Sequence, residues 1–301
     1  MASLKDLRNR ISSVKNTRKI TSAMKMVAAA KLRRAQEQAE KSRPYSVRMK
    51  AVLDQLASAA ANNPSAPKLL RGNGSDQKHL IILATADRGL CGGFNANLIK
   101  EARQQYKSLK AQGKTVSFLT VGRKARDAAK SMDASAIIAS YTDIDRPRLS
   151  FDKAQEVANK ALELFEADQV NVVHLIFAEF QSVISQVVTC QQLIPFNLDA
   201  ATENDKVNAG ASSDQAQALY EYEPSEAAVL GTLLPRNVAV QVFRGLLENQ
   251  ASEQGARMTA MDNATRNAGE MIDRLTLVYN RTRQAMITKE LIEIVSGAEA
   301  L

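Results

Sequence analysis

The chain has 301 residues, a formal net charge of +8, 45% hydrophobic residues and 2 cysteines. That length carries one or two domains with a sizeable core. Cys91 and Cys190 lie too far apart for a metal or dithiol motif and indicate a reducing compartment, and no run approaches the roughly 18 apolar residues of a membrane span. The charge is unevenly placed: residues 1–50 hold 14 Lys/Arg against 3 acids, +11, and the remainder 26 against 29, −3. A single segment therefore owns the basic excess, which points to an acidic or anionic partner along it.

The first predicted element is a helix from an N-cap at Ser3 to about Asn62. Its 3-4 spacing runs through Leu7, Ile11, Val14, Arg18, Thr21, Lys25, Ala28, Leu32, Ala35 and Ala39, and on through Met49, Leu53 and Leu56. Pro44 inside it is expected to kink it. A repeat held this long implies a supercoiled helix pair, too long to fit inside a small globular domain. Residues 62–77 read as a polar Pro/Gly linker.

A central domain over 76–200 then alternates strands and helices. Strands are expected at His79–Thr85, Thr115–Val121 and Ala136–Tyr141, with helices at Ala96–Leu109, Arg123–Met132 and Phe151–Ala167. Val170–Phe177 and Ser185–Leu193 read as a final hairpin around Glu179–Gln181. This order gives a mostly parallel sheet covered on both faces. Residues 201–224 form a polar loop, and 225–301 a second long helix with a break expected at Pro235. Its stripe passes through Val240, Phe243, Leu247, Met261, Ala264, Ala268, Met271, Leu275, Val278, Ala285 and Ile292.

Few residues suggest chemistry. The turn Thr85–Asn95 follows a strand and opens a helix, where phosphate loops occur. It has neither phosphate-loop nor dinucleotide spacing, so Gly89, Gly92 and Gly93 are read as a tight turn, and a nucleotide-using α/β enzyme ranks low. Asp87 and Arg88 are left as a local ion pair or a docking contact. Cys91 is read as a packed small residue, Cys190 as core, and His79 and His174 as having no third ligand or nucleophile beside them. Arg18 and Lys25 on the first stripe mark a solvated stretch or one facing an acidic partner, and the small residues of the second stripe mark a slim, modestly held pair.

Three segments carry a resemblance that covers the whole chain. Leu7–Lys31, Thr85–Asn95 and Ile287–Ala300, in that order, resemble the gamma subunit of the rotary ATP synthase. The resemblance implies an antiparallel coiled coil of the terminal helices, with a central, mostly parallel, Rossmann-like α/β domain. The coil would turn inside a ring of alpha and beta subunits. The domain would sit against the epsilon subunit and the c-ring, peripheral on the cytoplasmic face of a bacterial plasma membrane. ATP would be made on beta, so no cofactor, metal or active site is expected in this chain. An acidic loop of beta would ride against the basic helix. Lys19, Met24 and Lys25 would lie at that bearing, facing Arg257, Gln284, Thr288, Glu290 and Glu293, the last three as a polar face toward the first helix. No cysteine pair of the chloroplast regulatory kind is present. The alternative is a basic coiled coil that tracks nucleic-acid phosphates, without nucleic-acid-binding aromatics to support it.

Overall fold

The computed structural model describes residues 3–60, 67–146, 148–196 and 226–299, so the polar loop 201–224 lies outside the described residues. In chain order the elements are α1 (Leu4–Ala60), α2 (Lys68–Arg71), β1 (Lys78–Ala84), α3 (Phe94–Ala111), β2 (Thr115–Val121), α4 (Arg123–Asp133), β3 (Ile137–Tyr141), α5 (Phe151–Glu166), β4 (Val172–Phe180), β5 (Gln186–Ile194) and α6 (Glu226–Glu299). The predicted linker thus holds one short helix, α2, whose Leu69 and Leu70 pack near Met49 and Leu230.

The two long helices, of 57 and 74 residues, extend roughly 85 and 110 Å at 1.5 Å per residue. The start of α1 is fixed by a reciprocal cap: Asp6 N donates to Ser3 Oγ at 3.1 Å and Ser3 N to Asp6 Oδ2 at 3.2 Å. Helix continues through Pro44 and through Pro235, so Pro235 does not break α6 as expected. Each proline removes one backbone bond, and around Pro235 the apolar contacts of Met49, Leu230 and Leu234 hold the chain helical.

α1 and α6 run antiparallel. Arg8 Nη2 donates to Tyr279 Oη at 3.0 Å, Thr265 Oγ1 to Thr21 Oγ1 at 2.8 Å, and Lys25 Nζ to Asp262 Oδ1 at 2.6 Å. The numbers of facing residues add to 286 or 287, which sets one register over the upper part of the pair, from Arg8 to Lys25. The α1 seam buries Leu7, Thr21, Ala28, Leu32 and Ala35, and α6 answers with Met261, Ala268 and Ile272. Because α1 begins at Leu4, α6 runs out of partner near Gln284. The expected stripe positions Ala285 and Ile292 are accordingly exposed, and Val278, still opposite α1, is exposed because it lies off the seam.

The sheet order is β3-β2-β1-β4-β5, parallel except for the β4–β5 hairpin. Six of the seven β1 residues are buried, as a central parallel strand requires, whereas edge strand β3 alternates. Leu80, Ile82, Val173 and Leu175 face α5 and α6, while Ile81, Leu83, Phe118 and Ile176 face α3 and α4. At Gly122, φ +98, a Cβ would run into the backbone oxygen of Thr85, so only glycine lets β1 and the start of α4 approach this closely.

The domain is joined to the shaft along α6. β4 is paired with β1 only as far as Ile176, which leaves the upper end of β4 without a strand on that side. Side chains of α6 take the strand's place: Ala178 N donates to Asn249 Oδ1 at 3.1 Å, Ser252 Oγ to Ala178 O at 3.0 Å, and Phe180 N to Glu248 Oε2 at 3.1 Å. Gly245 and Gly255 let the helix lie close on Leu175, Phe177 and Phe180. Asn249→Leu strands the buried Ala178 amide without a partner and is expected to cost about 1–3 kcal/mol of stability, read as a lower midpoint in chemical denaturation.

Candidate functional site

The Thr85–Asn95 turn is closed by its own side chains. Ala86 N donates to Asn95 Oδ1 at 3.0 Å. Asp87 accepts from Arg123 N and Asp143 N, each at 2.9 Å, so its carboxylate ties the turn to the first turn of α4 and to the loop after β3. Asp87 thus has a structural task within the chain, and its carboxylate also lies 4.0 Å from Arg123 Nε. Asp143, φ +55, is in turn paired by Arg123 and by Arg146 at 3.1 Å, and Arg123 beside it holds its carboxyl below the usual carboxylate range. Cys91 is buried, and burial pushes its thiol up, the opposite of a reactive thiolate. Burial also pushes Cys190 up, to about 11. Among the described residues no three His, Cys, Asp or Glu side chains could hold a metal ion.

Above the turn, a cleft of about 610 Å³ opens between the domain and the shaft. One wall is α1, with Ile20, Met24, Val27 and Lys31; the other is α6, with Leu246, Gln250, Glu253 and Arg257. Arg88, Gly89 and Leu90 close it from the domain side. Arg257 Nη1 lies 2.6 Å from Glu253 Oε1, and Arg257 Nη2 donates to Gly89 O at 3.2 Å. Burial raises the Glu253 carboxyl, an effect that the adjacent Arg257 opposes.

The residues assigned to one bearing separate into two levels, because Met24 and Arg257 line the same cleft and Arg257 lies five residues, roughly 8 Å, from Asp262 along α6. Lys25 is at the neck against Asp262, whose carboxyl it holds below the usual range, with Met24 half-buried one residue away and Lys19 exposed. Arg257 belongs to the same level, against Glu253 and Gly89. Gln284, Thr288, Glu290 and Glu293 are exposed at the tip, and Glu293 pairs with Lys289 on its own helix at 3.4 Å. Thr288, Glu290 and Glu293 therefore do not face α1. They lie beyond its first residue, roughly 40 Å along the axis from Lys25 at 1.5 Å per residue. Helical spacing alone groups residues by face, and only the antiparallel register sorts them by height.

Two features escaped the sequence. The partners Asp262, Thr265 and Tyr279 needed that same register; once one pair is fixed, the constant sum locates the others. The second is a histidine pair on adjacent strands, with His79 Nδ1 3.2 Å from His174 Nε2 and the rings parallel. One ring donates and the other accepts. Asp76 Oδ1 lies 2.9 Å from His79 Nε2, and Lys114 pairs with the same carboxylate. Finding it required knowing that β1 and β4 are neighbours although β2 and β3 intervene in sequence.

The class these features define is a shaft subunit: a long antiparallel helix pair that carries a rigidly docked α/β domain and contains no catalytic constellation among its described residues. Residues 3–301 match the family model described as ATP synthase. Over 301 residues, the whole of both chains, the protein is 57% identical to the ATP synthase gamma chain of Parvibaculum lavamentivorans and 58% identical to that of Fuscovulum blasticum. A chain of the central stalk and c-ring of the Tetrahymena thermophila mitochondrial ATP synthase superposes with a TM-score of 0.61 at 25% identity, over 81% of this chain and 99% of that one. A chain of the Euglena gracilis mitochondrial enzyme has the same fold, with a TM-score of 0.64 at 20% identity over 99% and 94% of the two chains. The chain belongs to the ATP synthase gamma-chain family. The nucleic-acid-binding alternative finds no support in these relatives.

Burial, and then the neighbouring His79, lower His174 from its ordinary 6.5 to about 4. The unfolded chain therefore binds more protons than the folded one between these values, and stability falls as pH drops through that window. The melting temperature is expected to decline from pH 7 toward pH 4.5 and to decline less in His174→Gln, as followed by circular dichroism.

Proposed function

We propose that this chain is the rotating central shaft of a proton-driven ATP synthase, coupling rotation of the c-ring to conformational cycling of the catalytic beta subunits. The observation that carries this reading is end-to-end correspondence with ATP synthase gamma chains, on a molecule whose geometry is that of a shaft. The helix pair occupies the centre of an alpha–beta hexamer, and the domain rests on epsilon and the c-ring, peripheral to the cytoplasmic face of a bacterial membrane. Among the described residues no helix is long and apolar enough to cross that membrane, in keeping with a chain held there by its partners.

The distribution of groups supports these assignments. Beyond Gln284 the helix exposes Met286, Ile287, Leu291, Ile292, Ile294 and Val295, a surface suited to an apolar collar at the top of the ring. Lys19, Met24 and Lys25 belong to the basic face of α1 and meet the acidic loop of beta. Arg257 acts at the neck, and Gln284, Thr288, Glu290 and Glu293 act at the tip. Torque enters at the domain and leaves along α1 and α6, so chemistry stays on beta.

Isolation of the tagged chain from detergent-solubilised membranes is expected to bring down two abundant larger subunits with ATPase activity, which the chain alone lacks. Recovery of the chain by itself would remove this reading. Lys19→Glu reverses a charge on an exposed side chain. Its expected effect on melting is within about 0.5 kcal/mol, while ATP-driven proton pumping in reconstituted vesicles falls relative to hydrolysis.

A further inference from the structure

Low on the shaft, where α1, α6 and the start of α5 meet, a second cleft of about 270 Å³ opens to solvent. Its floor is apolar. Phe151 meets Phe243 edge to face with ring centroids 5.7 Å apart, and Val240 is buried beside them. Its rim is basic. Arg236 lies 5.8 Å over the ring of Tyr45, Arg244 stands two turns further along α6, and among the described residues no acidic side chain lines the cleft. An aromatic floor under a cationic rim fits a flat ring with a carboxylate next to it.

The chain carries that pattern close by in sequence. Residues 201–224, outside the described residues, hold five acids against one lysine and end in Leu219-Tyr220-Glu221-Tyr222-Glu223-Pro224, just before α6. Measured along α6 from Glu226 at 1.5 Å per residue, Arg236 stands roughly 15 Å away and Val240 roughly 21 Å. A chain running back beside the helix in extended form, at 3.3 Å per residue, brings Glu221 to roughly 17 Å and Tyr220 to roughly 20 Å. The ring thus comes level with the floor and the carboxylate with the rim cation. So short a tether keeps the ring at an effective concentration in the millimolar range, at which even a weak contact is populated.

We propose that this cleft holds the ring of Tyr220, with Glu221 paired to Arg236 on its rim. The connection that leads into α6 is thereby fastened to Tyr45 of α1 and Phe151 of α5, beside the point where Pro44 removes a backbone hydrogen bond from α1. The contact braces α1 where its own hydrogen bonding is weakest. It needs only this chain and does not depend on the shaft reading.

The chain contains no tryptophan, so Tyr220→Trp places a single fluorescent reporter at the cleft. In the purified full-length chain its emission is expected to be blue-shifted, and acrylamide to quench it severalfold less than free tryptophan. Glu221→Lys alters no residue of the described fold. Added to the reporter, it is expected to lower the ratio of docked to undocked segment about fivefold, the scale of a rim ion pair made repulsive. Arg236→Glu is expected to do the same, and the double charge swap R236E/E221K to restore shielding. A reporter as open to quencher as free tryptophan overturns the proposal, and so does shielding that neither charge reversal changes or that the swap fails to restore. Shielding lost on dilution would assign the cleft to a second copy of the chain, and shielding present only in the complete complex would assign it to a partner subunit; either result overturns the proposal. If Arg236→Glu does not fold, Glu221→Lys decides alone.

Discussion

The structure depends on one helix serving two partners at once. Along residues 245–255, α6 completes the hydrogen bonding of β4 through Glu248, Asn249 and Ser252, while Ala251 packs against Leu32 and Ala35 of α1. A domain attached to a rod by apolar contact alone could slide, because the hydrophobic effect has no preferred direction. Hydrogen bonds to Ala178, made from the buried Asn249 and Ser252, and to Phe180, made from the half-buried Glu248, have direction and fixed length. They make the sheet and the shaft turn together. The glycines at 245 and 255 bring the helix close enough for those bonds to form.

Above that junction the requirements change. The seam alternates the large Leu7, Met261 and Ile272 with the smaller Thr21, Ala28 and Ala268 and adds three polar contacts. Arg8, Tyr279, Lys25 and Asp262 lie near the surface, where ion pairs and charged hydrogen bonds contribute little to stability. They are more effective at setting register, since a slide of one helical turn would separate all of them together. The upper shaft is thus thin and held in one alignment without a thick core, as suits a rod that must pass through a narrow opening.

Most of the fold was legible in the chain because its signals are local. The strand Thr115–Val121 and the helix from Arg123 lie at the expected bounds, and Phe151 opens α5 as expected. Pro235 was misleading because its local cost is real but is outweighed by the packing of Met49, Leu230 and Leu234. The site was less legible for a different reason. Lys25 and Arg257 could each be recognised by type, but their partners, Asp262 and the Glu253–Gly89 pair, depend on helix register and on how a distant loop closes. Family resemblance names functional positions without their heights, so neck and tip fall together in one bearing.

That separation in height bears on how torque leaves the molecule. Contacts at the tip act on a single, unpaired helix, whereas contacts at the neck act where α1, α6 and the domain meet. A lone helix bends more readily than a helix pair braced by a sheet, so a side load applied at the tip is partly absorbed as bending. The same load at the neck is borne by the Ala178 junction and the Asp87 ties with little give. On the proposed reading, the tip, with its apolar residues exposed, would centre the shaft and the neck would carry the push. The basic residues of α1 run from Lys5 to Lys50, on both sides of the neck, and can hold an acidic surface close without fixing it in place, because screened attraction between solvated charges has little directional preference. The antiparallel register keeps the two levels apart, Glu290 lying roughly 50 Å along α6 from Arg257 at 1.5 Å per residue.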